Sequence, residues 1–392
     1  MRTPNTSNSI NRRQLLRMAG TLGGLAALSS FLEACSKAGL DLTSASSTST
    51  APTGATLPAT SAAKLQNELT STLPAESAPV QYTTTPTSTE TGYSKVAFVK
   101  TGNRTEGVHK AIDLLKTNPV AGKNVFIKPN FNSADPTPGS THPDVLTALV
   151  LKLKEMGAVK ITVGDRSGMG DTHQVMGDLG IFDLAEKLGF DLVILDDLTQ
   201  EDWVMFTPVD SHWKSGFPFA SPCLEAGSLV QTCCLKTHRY GGQFTLSLKN
   251  SVGMVAKKIP SHNYDFMNEL HTSRHQRRMI AEINTAYTPN LIVLDGVEAF
   301  ISGGPDNGQK VSSQVILAGT DRIAIDAVGV ALLRYHGCQT EVAKGKIFEQ
   351  EQIARAVELG LGVDSPTKIQ LLPADQESAA YAEDINYILS QG

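Results

Sequence analysis

From Lys95 onward, short β-branched apolar runs alternate with stretches whose apolar positions recur at helical spacing. The runs 96–99 (V-A-F-V), 125–128 (V-F-I-K), 160–164 (K-I-T-V-G) and 192–196 (L-V-I-L-D) read as strands, with further strands predicted at 228–235, 243–249, 291–295 and 314–318. Pro143 suits the first turn of a helix in which Val145, Leu146, Leu149, Leu153 and Met156 keep helical spacing until Gly157 ends it. Helices are also predicted over 181–188 and from Ile323 to Tyr335, with Asp321 near the N-terminus of the second. Strand–helix–strand repetition predicts an α/β fold on a largely parallel, helix-covered sheet. The stretch 241–290, with its polar and basic turns, reads as an insertion or a second, smaller lobe. No G-x-G-x-x-G follows a strand, so a dinucleotide fold of the familiar kind is not expected.

The first ninety or so residues hold no pattern that could bury a core. Residues 11–17 read N-R-R-Q-L-L-R, with Arg12 and Arg13 ahead of an Ala/Gly/Leu-rich stretch from Met18 to Leu32, and resemble a twin-arginine export signal. That stretch is too short and too rich in small residues for a membrane-spanning helix, which needs about 20 predominantly apolar residues. It ends Leu32-Glu33-Ala34-Cys35, which resembles a lipoprotein cleavage site with Cys35 as the lipid acceptor; ordinary signal cleavage beside an incidental cysteine is the alternative. Residues 35–92, dominated by Ser, Thr, Ala and Pro, have the composition of a disordered tether. Its typical reach is about 40 Å, enough to hold a domain clear of a lipid surface. The chain therefore divides into a signal (1–34), a tether (35–92) and an α/β domain (93–392). The expected location is the extracytoplasmic side of the cell envelope, with the export machinery and a membrane as partners.

Charge narrows the partners further. The formal net charge is -5, and segment 1–34 carries four arginines against one glutamate, so its removal would leave a mature chain more acidic still. Phosphate-backbone recognition rests on Lys and Arg surfaces, so no nucleic-acid partner is expected and any basic site must be local. The five cysteines, Cys35, Cys223, Cys233, Cys234 and Cys338, show no C-x-x-C pair, and no cysteine-ligated iron–sulfur cluster is expected. Cys233 and Cys234 adjoin in a strand-like run and should face opposite ways, as small buried hydrophobes or, alternatively, a redox pair.

In open α/β sheets ligands sit beyond the carboxyl ends of strands. Lys128 and Asn130 follow the 125–128 run, Asp165 follows K-I-T-V-G, and Lys236, Thr237 and His238 follow the 228–235 run. Lys249 and Asn250 follow T-L-S-L, and Asp295 follows L-I-V-L. Three lysines converging at apolar strand ends would repel one another unless an anion sat among them, which predicts a carboxylate or phosphate ligand. The alternative is that each snorkels to solvent or pairs with Asp165 or Asp295. His142, His238 and His262 lie in loops, and with Asp165 and Asp295 could form a mixed His/carboxylate metal site for Zn, Fe or Mn, although no fixed ligand spacing is present. Gly303 and Gly304 belong to the run I-S-G-G-P-D-N-G, which either approaches a ligand through its amides or simply turns the chain. Asp326 is either a satisfied core carboxylate or a site residue.

These motifs together resemble a family of unassigned function, DUF362. The stretches that carry the resemblance are V-F-I-K-P-N-F (125–131), T-H-P-D-V-L (141–146), G-A-V-K-I-T-V-G-D (157–165), L-K-T-H (235–238), T-L-S-L-K-N-S-V-G (245–253), L-D-G-V-E-A-F (294–300), G-G-P (303–305) and D-R-I-A-I-D-A-V (321–328). The resemblance implies that Lys128, Asn130, Asp165, the Lys236–His238 triplet, Lys249, Asn250, Asp295 and Asp326 occupy the family's motif positions. It supplies no reaction. Two function classes follow: an enzyme acting on a small anionic molecule, with the lysines holding it and Asp165, His238 or Asp295 moving a proton, or a tethered solute-binding or assembly protein without turnover. A metal-dependent enzyme is a variant of the first.

Overall fold

The structure, a computed structural model, describes residues 92–391 apart from 242, 261 and 262. Arg12, Arg13, Cys35, the tether up to residue 91 and His262 lie outside the described residues.

Successive side chains of an extended strand leave opposite faces, and here both faces are apolar. In β1 (Ser94–Lys100), Val96 and Phe98 enter one apolar layer while Ala97 and Val99 enter another. The remaining strands are β2 (Asn124–Lys128), β3 (Lys160–Asp165), β4 (Asp191–Ile194), β5 (Trp203–Phe206), β6 (Phe217–Ala220), β7 (Ser228–His238), β8 (Gln243–Thr245), β9 (Leu291–Gly303), β10 (Gly308–Gly319) and β11 (Ile369–Pro373). Nine of them form one mixed, mostly parallel sheet in the order β11-β1-β10-β9-β7-β2-β3-β4, with β8 on the end of β7, while β5 and β6 make a separate hairpin. The antiparallel pairings are β1 with β10, β10 with β9, and β7 with β8.

Helices α1 (Arg104–Leu115), α2 (Pro143–Glu155), α3 (Thr172–Asp178) and α4 (Ile181–Leu188) cover the face that receives Val125, Ile127, Val163 and Val230. The chain continues through α5 (Ser221–Glu225), α6 (Ser247–Asn250), α7 (Phe266–Thr272), α8 (Gln276–Ile283), α9 (Arg322–Tyr335), α10 (Glu351–Glu358) and α11 (Gln376–Gln391). Of these, α9, α10 and α11 pack on the opposite face over Phe98, Leu235, Leu294 and Leu317. The segment expected to form an insertion or second lobe, 241–290, contributes α7 and α8 to a third apolar cluster with β5, β6 and Phe126 of β2. The described residues fall within a single compact unit. No helix among the described residues is long and apolar enough to cross a membrane.

Most predicted elements recur, although the strands expected at 228–235, 291–295 and 314–318 are parts of the longer β7, β9 and β10, which places Lys236, Thr237 and His238 inside β7 rather than after it; two others differ for visible reasons. The 243–249 run is a strand only over Gln243–Thr245, after which the chain turns into α6. Asp326 of α9 accepts hydrogen bonds from the Ser247 amide (2.7 Å) and the Leu248 amide (3.2 Å), so a carboxylate from a neighbouring helix replaces the ladder partner. Asp326 is fully buried, and burial pushes its carboxyl up to about 8, the core reading of this residue. The 192–196 run leaves the sheet at Ile194, and Asp196 turns aside to accept from the Thr172 hydroxyl at 2.6 Å and pair with Lys257 at 2.8 Å.

Candidate functional site

The chain runs from β2 to β3 to β4 in one direction and then returns to place β7 on the other side of β2. The loops leaving β2 and β7 therefore diverge, which opens a crevice at their carboxyl ends. A cavity of about 770 Å³ occupies this point. Its wall carries Lys128 and Asn130 from the end of β2, Asp165 and Arg166 from β3, Lys236 and His238 from β7, and Lys249 and Asn250 from α6. The three lysines singled out in the sequence thus share one cavity.

Lys128 is the most constrained. Its buried ammonium pairs with Asp165 at 2.7 Å and donates to the Pro129 carbonyl at 2.6 Å and to Asn250 Oδ1 at 3.3 Å. Asp165 also accepts from the backbone amides of Phe131 and Arg166, each at 2.7 Å, so its carboxylate is engaged by three donors. Burial lowers the Lys128 ammonium from the usual lysine range, with Asp165 opposing that shift. Gly253 lies against this pair: a Cβ there would fall 2.7 Å from Lys128 Cε and closer still to Asp165 Oδ1.

Lys236 and Lys249 have no carboxylate partner among the described residues. Lys236, fully buried, donates to Asn130 Oδ1 at 2.7 Å and to the Gly139 carbonyl at 2.5 Å. The loop supplying both acceptors is closed by Thr141, whose hydroxyl accepts from the Asn130 amide at 2.8 Å. Burial pushes the Lys236 ammonium down to about 8. Lys249 is part-buried, and its ammonium makes no hydrogen bond or ion pair among the described residues. Burial, then repulsion from Lys236 and Arg166, pushes it down to about 7. Burial first, and then the charges of Lys249 and Lys236, hold the His238 imidazole far below its usual range and therefore neutral. Its Nδ1 accepts from the Tyr240 amide at 3.2 Å, which assigns the proton to Nε2 as a donor.

Other sequence candidates are placed elsewhere. Thr237 donates to the Phe300 carbonyl at 3.1 Å within the sheet. Asp295 pairs with Arg104 at 2.9 Å, in a cluster completed by Glu298, and does not line the cavity. His142 caps α2, its Nδ1 accepting from the Asp144 amide at 3.1 Å, also away from the cavity. Gly303 and Gly304, both at positive φ, shape the β9–β10 hairpin, and a Cβ on Gly304 would strike the Thr237 carbonyl. Of the candidate metal ligands, Asp165 and His238 share the cavity wall while His142 and Asp295 lie elsewhere, and among the described residues no group of three or more His, Cys, Asp or Glu is arranged to hold a metal ion. Cys223, Cys233, Cys234 and Cys338 are buried and free, with burial pushing the Cys234 thiol up to about 11.

Several wall residues went unnoticed in the sequence. Arg166 is buried with its Nη2 on the Val252 carbonyl (2.7 Å) and its Nε on that of Val255 (2.8 Å). Lys257, Lys258 and His271 complete the rim. The wall holds six cationic side chains against the carboxylates of Asp165, Asp196 and Asp265. Arg166, next to the predicted Asp165, was the one within reach of the strand-end argument; the others sit in stretches without strand periodicity.

Removing one partner of a buried ion pair strands the other. Asp165→Asn should therefore destabilise the domain by about 3–5 kcal/mol in chemical denaturation, and adding Lys128→Met should restore much of the loss. An unaltered Asp165→Asn midpoint would show the pair to be dispensable.

Stability should also rise with pH. Between about 7 and the ordinary lysine value of about 10.4, the folded state binds fewer protons at Lys249 and Lys236 than the unfolded chain does, so unfolding takes up protons and is opposed as pH rises. Melting temperature in chloride buffer should climb across this window, and Lys249→Met should flatten the climb at its lower end. A profile identical in parent and variant would refute the assignment.

A family model described as a domain of unknown function, DUF362, matches residues 125–331. The thylakoid-associated protein sll1697 of Synechocystis sp. is 24% identical over 216 residues, which cover 54% of this chain and 64% of that protein. The chain thus matches less than two thirds of that relative's length. Among solved structures, the lactate racemase apoprotein from Thermoanaerobacterium thermosaccharolyticum aligns over 62% of this chain and 56% of its own at 15% identity and a TM-score of 0.38. A protein from Thermotoga maritima aligns over 59% and 56% at 12% identity and a TM-score of 0.37. The family match takes in more than half of the chain and every motif from V-F-I-K-P-N-F to D-R-I-A-I-D-A-V, and the chain belongs to the DUF362 family.

Proposed function

We propose that this protein binds a small anionic molecule, a carboxylate or phosphate, between the β2 and β7 end loops and transforms it there. The observation that carries the reading is Lys249, which lines a cationic cavity and whose ammonium has no partner among the described residues, while Lys236 on the same wall has only neutral acceptors. An anion between them would remove their mutual repulsion and satisfy both. His238 adds a neutral N–H donor for orientation. Asp165, already engaged by three donors, holds the architecture in place, which leaves Lys249 as the cavity group free to exchange a proton near neutral pH.

The engagement of Asp165 and the neutrality of His238 also favour a second reading, a solute-binding protein without turnover; product analysis of captured ligand separates the two. The location proposed for either is outside the cytoplasm, with the domain held near a membrane by lipid on Cys35 and the 35–92 tether. The N-R-R-Q-L-L-R and L-E-A-C stretches support it.

Two measurements test these proposals. Inorganic phosphate and malonate, titrated separately in thermal-shift assays, should raise the melting temperature with at least one of them, since a ligand at 100 times its Kd stabilises by about 2.7 kcal/mol. Lys249→Met should abolish most of that shift, and no shift with either anion in the parent would end the binding proposal. Mass spectrometry of protein from the membrane fraction should find a diacylated or triacylated Cys35 at the N-terminus; a soluble, unmodified mature chain would remove the anchor.

A further inference from the structure

Resting on the anion-binding reading, we infer that Lys249 is a nucleophile, its side-chain amine condensing with the carbonyl of a small oxo-acid whose carboxylate is held by the neighbouring cations of the same cavity. The geometry supplies each requirement. Lys249 lines the cavity, and its Nζ is the only one of the three singled-out lysine amines not engaged by a partner among the described residues. Lys128 is committed to Asp165, and Lys236 is held on Asn130 and Gly139, so neither amine is free to attack. Lys236 and Arg166 are close enough for their charges to act on Lys249, which puts two fixed cations beside it to receive a carboxylate. Arg166 is itself anchored by the Val252 and Val255 carbonyls, so it serves as a positioned charge. His238, whose ring also feels the charge of Lys249, presents its Nε2–H as a donor for the carbonyl oxygen. A cavity of about 770 Å³ admits a molecule of this size.

The chemistry balances without an oxidant or reductant. The Nζ lone pair adds to the carbonyl carbon to give a carbinolamine; the carbonyl oxygen departs as water, taking both protons of the neutral amine, and a C=N bond remains. The shift of the amine to about 7 provides the neutral form at physiological pH. An ordinary surface lysine at pH 7 is neutral in roughly one molecule in 2,500.

Reductive trapping tests the inference on the full chain. Glyoxylate with cyanoborohydride at pH 7, followed by peptide mapping, should label Lys249 at least about tenfold faster than any surface lysine, given their difference in neutral fraction. Acetaldehyde, which has the carbonyl but no carboxylate, should keep only the part of that preference that the neutral amine supplies, and its preference for Lys249 should be smaller than that of glyoxylate. The labelling rate at Lys249 should rise through pH 7 and level off, while surface sites continue to rise into the alkaline range. Lys249→Arg, which keeps the charge in place, should eliminate the fast phase and still show an anion-induced thermal shift. Labelling spread evenly over surface lysines overturns the nucleophile, and an equal preference with acetaldehyde overturns the oxo-acid as its substrate. If the parent still responds to phosphate or malonate in that case, the anion-binding reading stands without it; if neither label nor thermal shift appears, both fall.

Discussion

The Lys128–Asp165 ion pair, at 2.7 Å and almost wholly buried, sets the geometry on which the cavity relies. Burying two charges is costly unless their geometry is good and their remaining hydrogen-bonding capacity is used. Both conditions are met: Asp165 takes two backbone amides in addition to the ammonium, and Lys128 spends its other donors on Pro129 and Asn250. One carboxylate thereby ties the end of β2 to the first residues after β3, across adjacent parallel strands. Gly253 leaves room for the pair, so the turn after α6 is drawn against it as well.

The constraint propagates through amides. Asn250 Oδ1 accepts from both Lys128 and Asn130, while its Nδ2 donates to the carbonyls of Lys128 and Thr232, which fixes the side chain in one orientation between β2 and β7. Asn130 in turn accepts from Lys236. A continuous path from Asp165 through Lys128, Asn250 and Asn130 to Lys236 holds two cations in fixed positions with a single carboxylate among them. Lys249, one residue from Asn250 on the same short helix, is placed by this path without joining it.

How far such a site was legible in the sequence depends on where the sheet ends as well as on where an apolar run ends: Lys236 and His238 sit inside β7, past its apolar run, and still reach the cavity. The two ends coincide at Lys128 and Asp165, so the rule that ligands gather at strand ends located them. They do not at Asp295: β9 continues through Gly296 and V-E-A-F-I-S-G as the partner of β10, leaving the carboxylate in mid-strand against Arg104. Nothing local in L-I-V-L-D-G marks that continuation, because the pairing is with residues 308–319. Lys249 lies on α6, not at a strand end as expected, and its place in the cavity comes from Asp326 turning the chain after β8. The α/β class was legible because short continuous apolar runs, as strands buried on both faces require, alternate with stretches at helical spacing. The membership of His271, Lys257 and Lys258 in the cavity wall was not, since it follows from packing of the 241–290 segment against the sheet rather than from any periodicity.

The economy of charge in the cavity links its stability to its proposed chemistry. In the free protein, repulsion and burial push Lys249 toward its neutral form, so the site avoids a third uncompensated cation by releasing a proton. An oxo-acid bound as proposed would bring the negative charge that is missing. The neutral amine is the form that adds to a carbonyl, and a protonated imine formed afterwards would restore a positive charge at the same atom, now beside the substrate carboxylate that offsets it. On the proposed chemistry, the electrostatic arrangement that disfavours the ammonium before binding would therefore favour the cationic adduct after it, and this difference, made by fixed neighbours rather than by movement of the fold, would be the kind of interaction that lowers a barrier instead of merely tightening a complex.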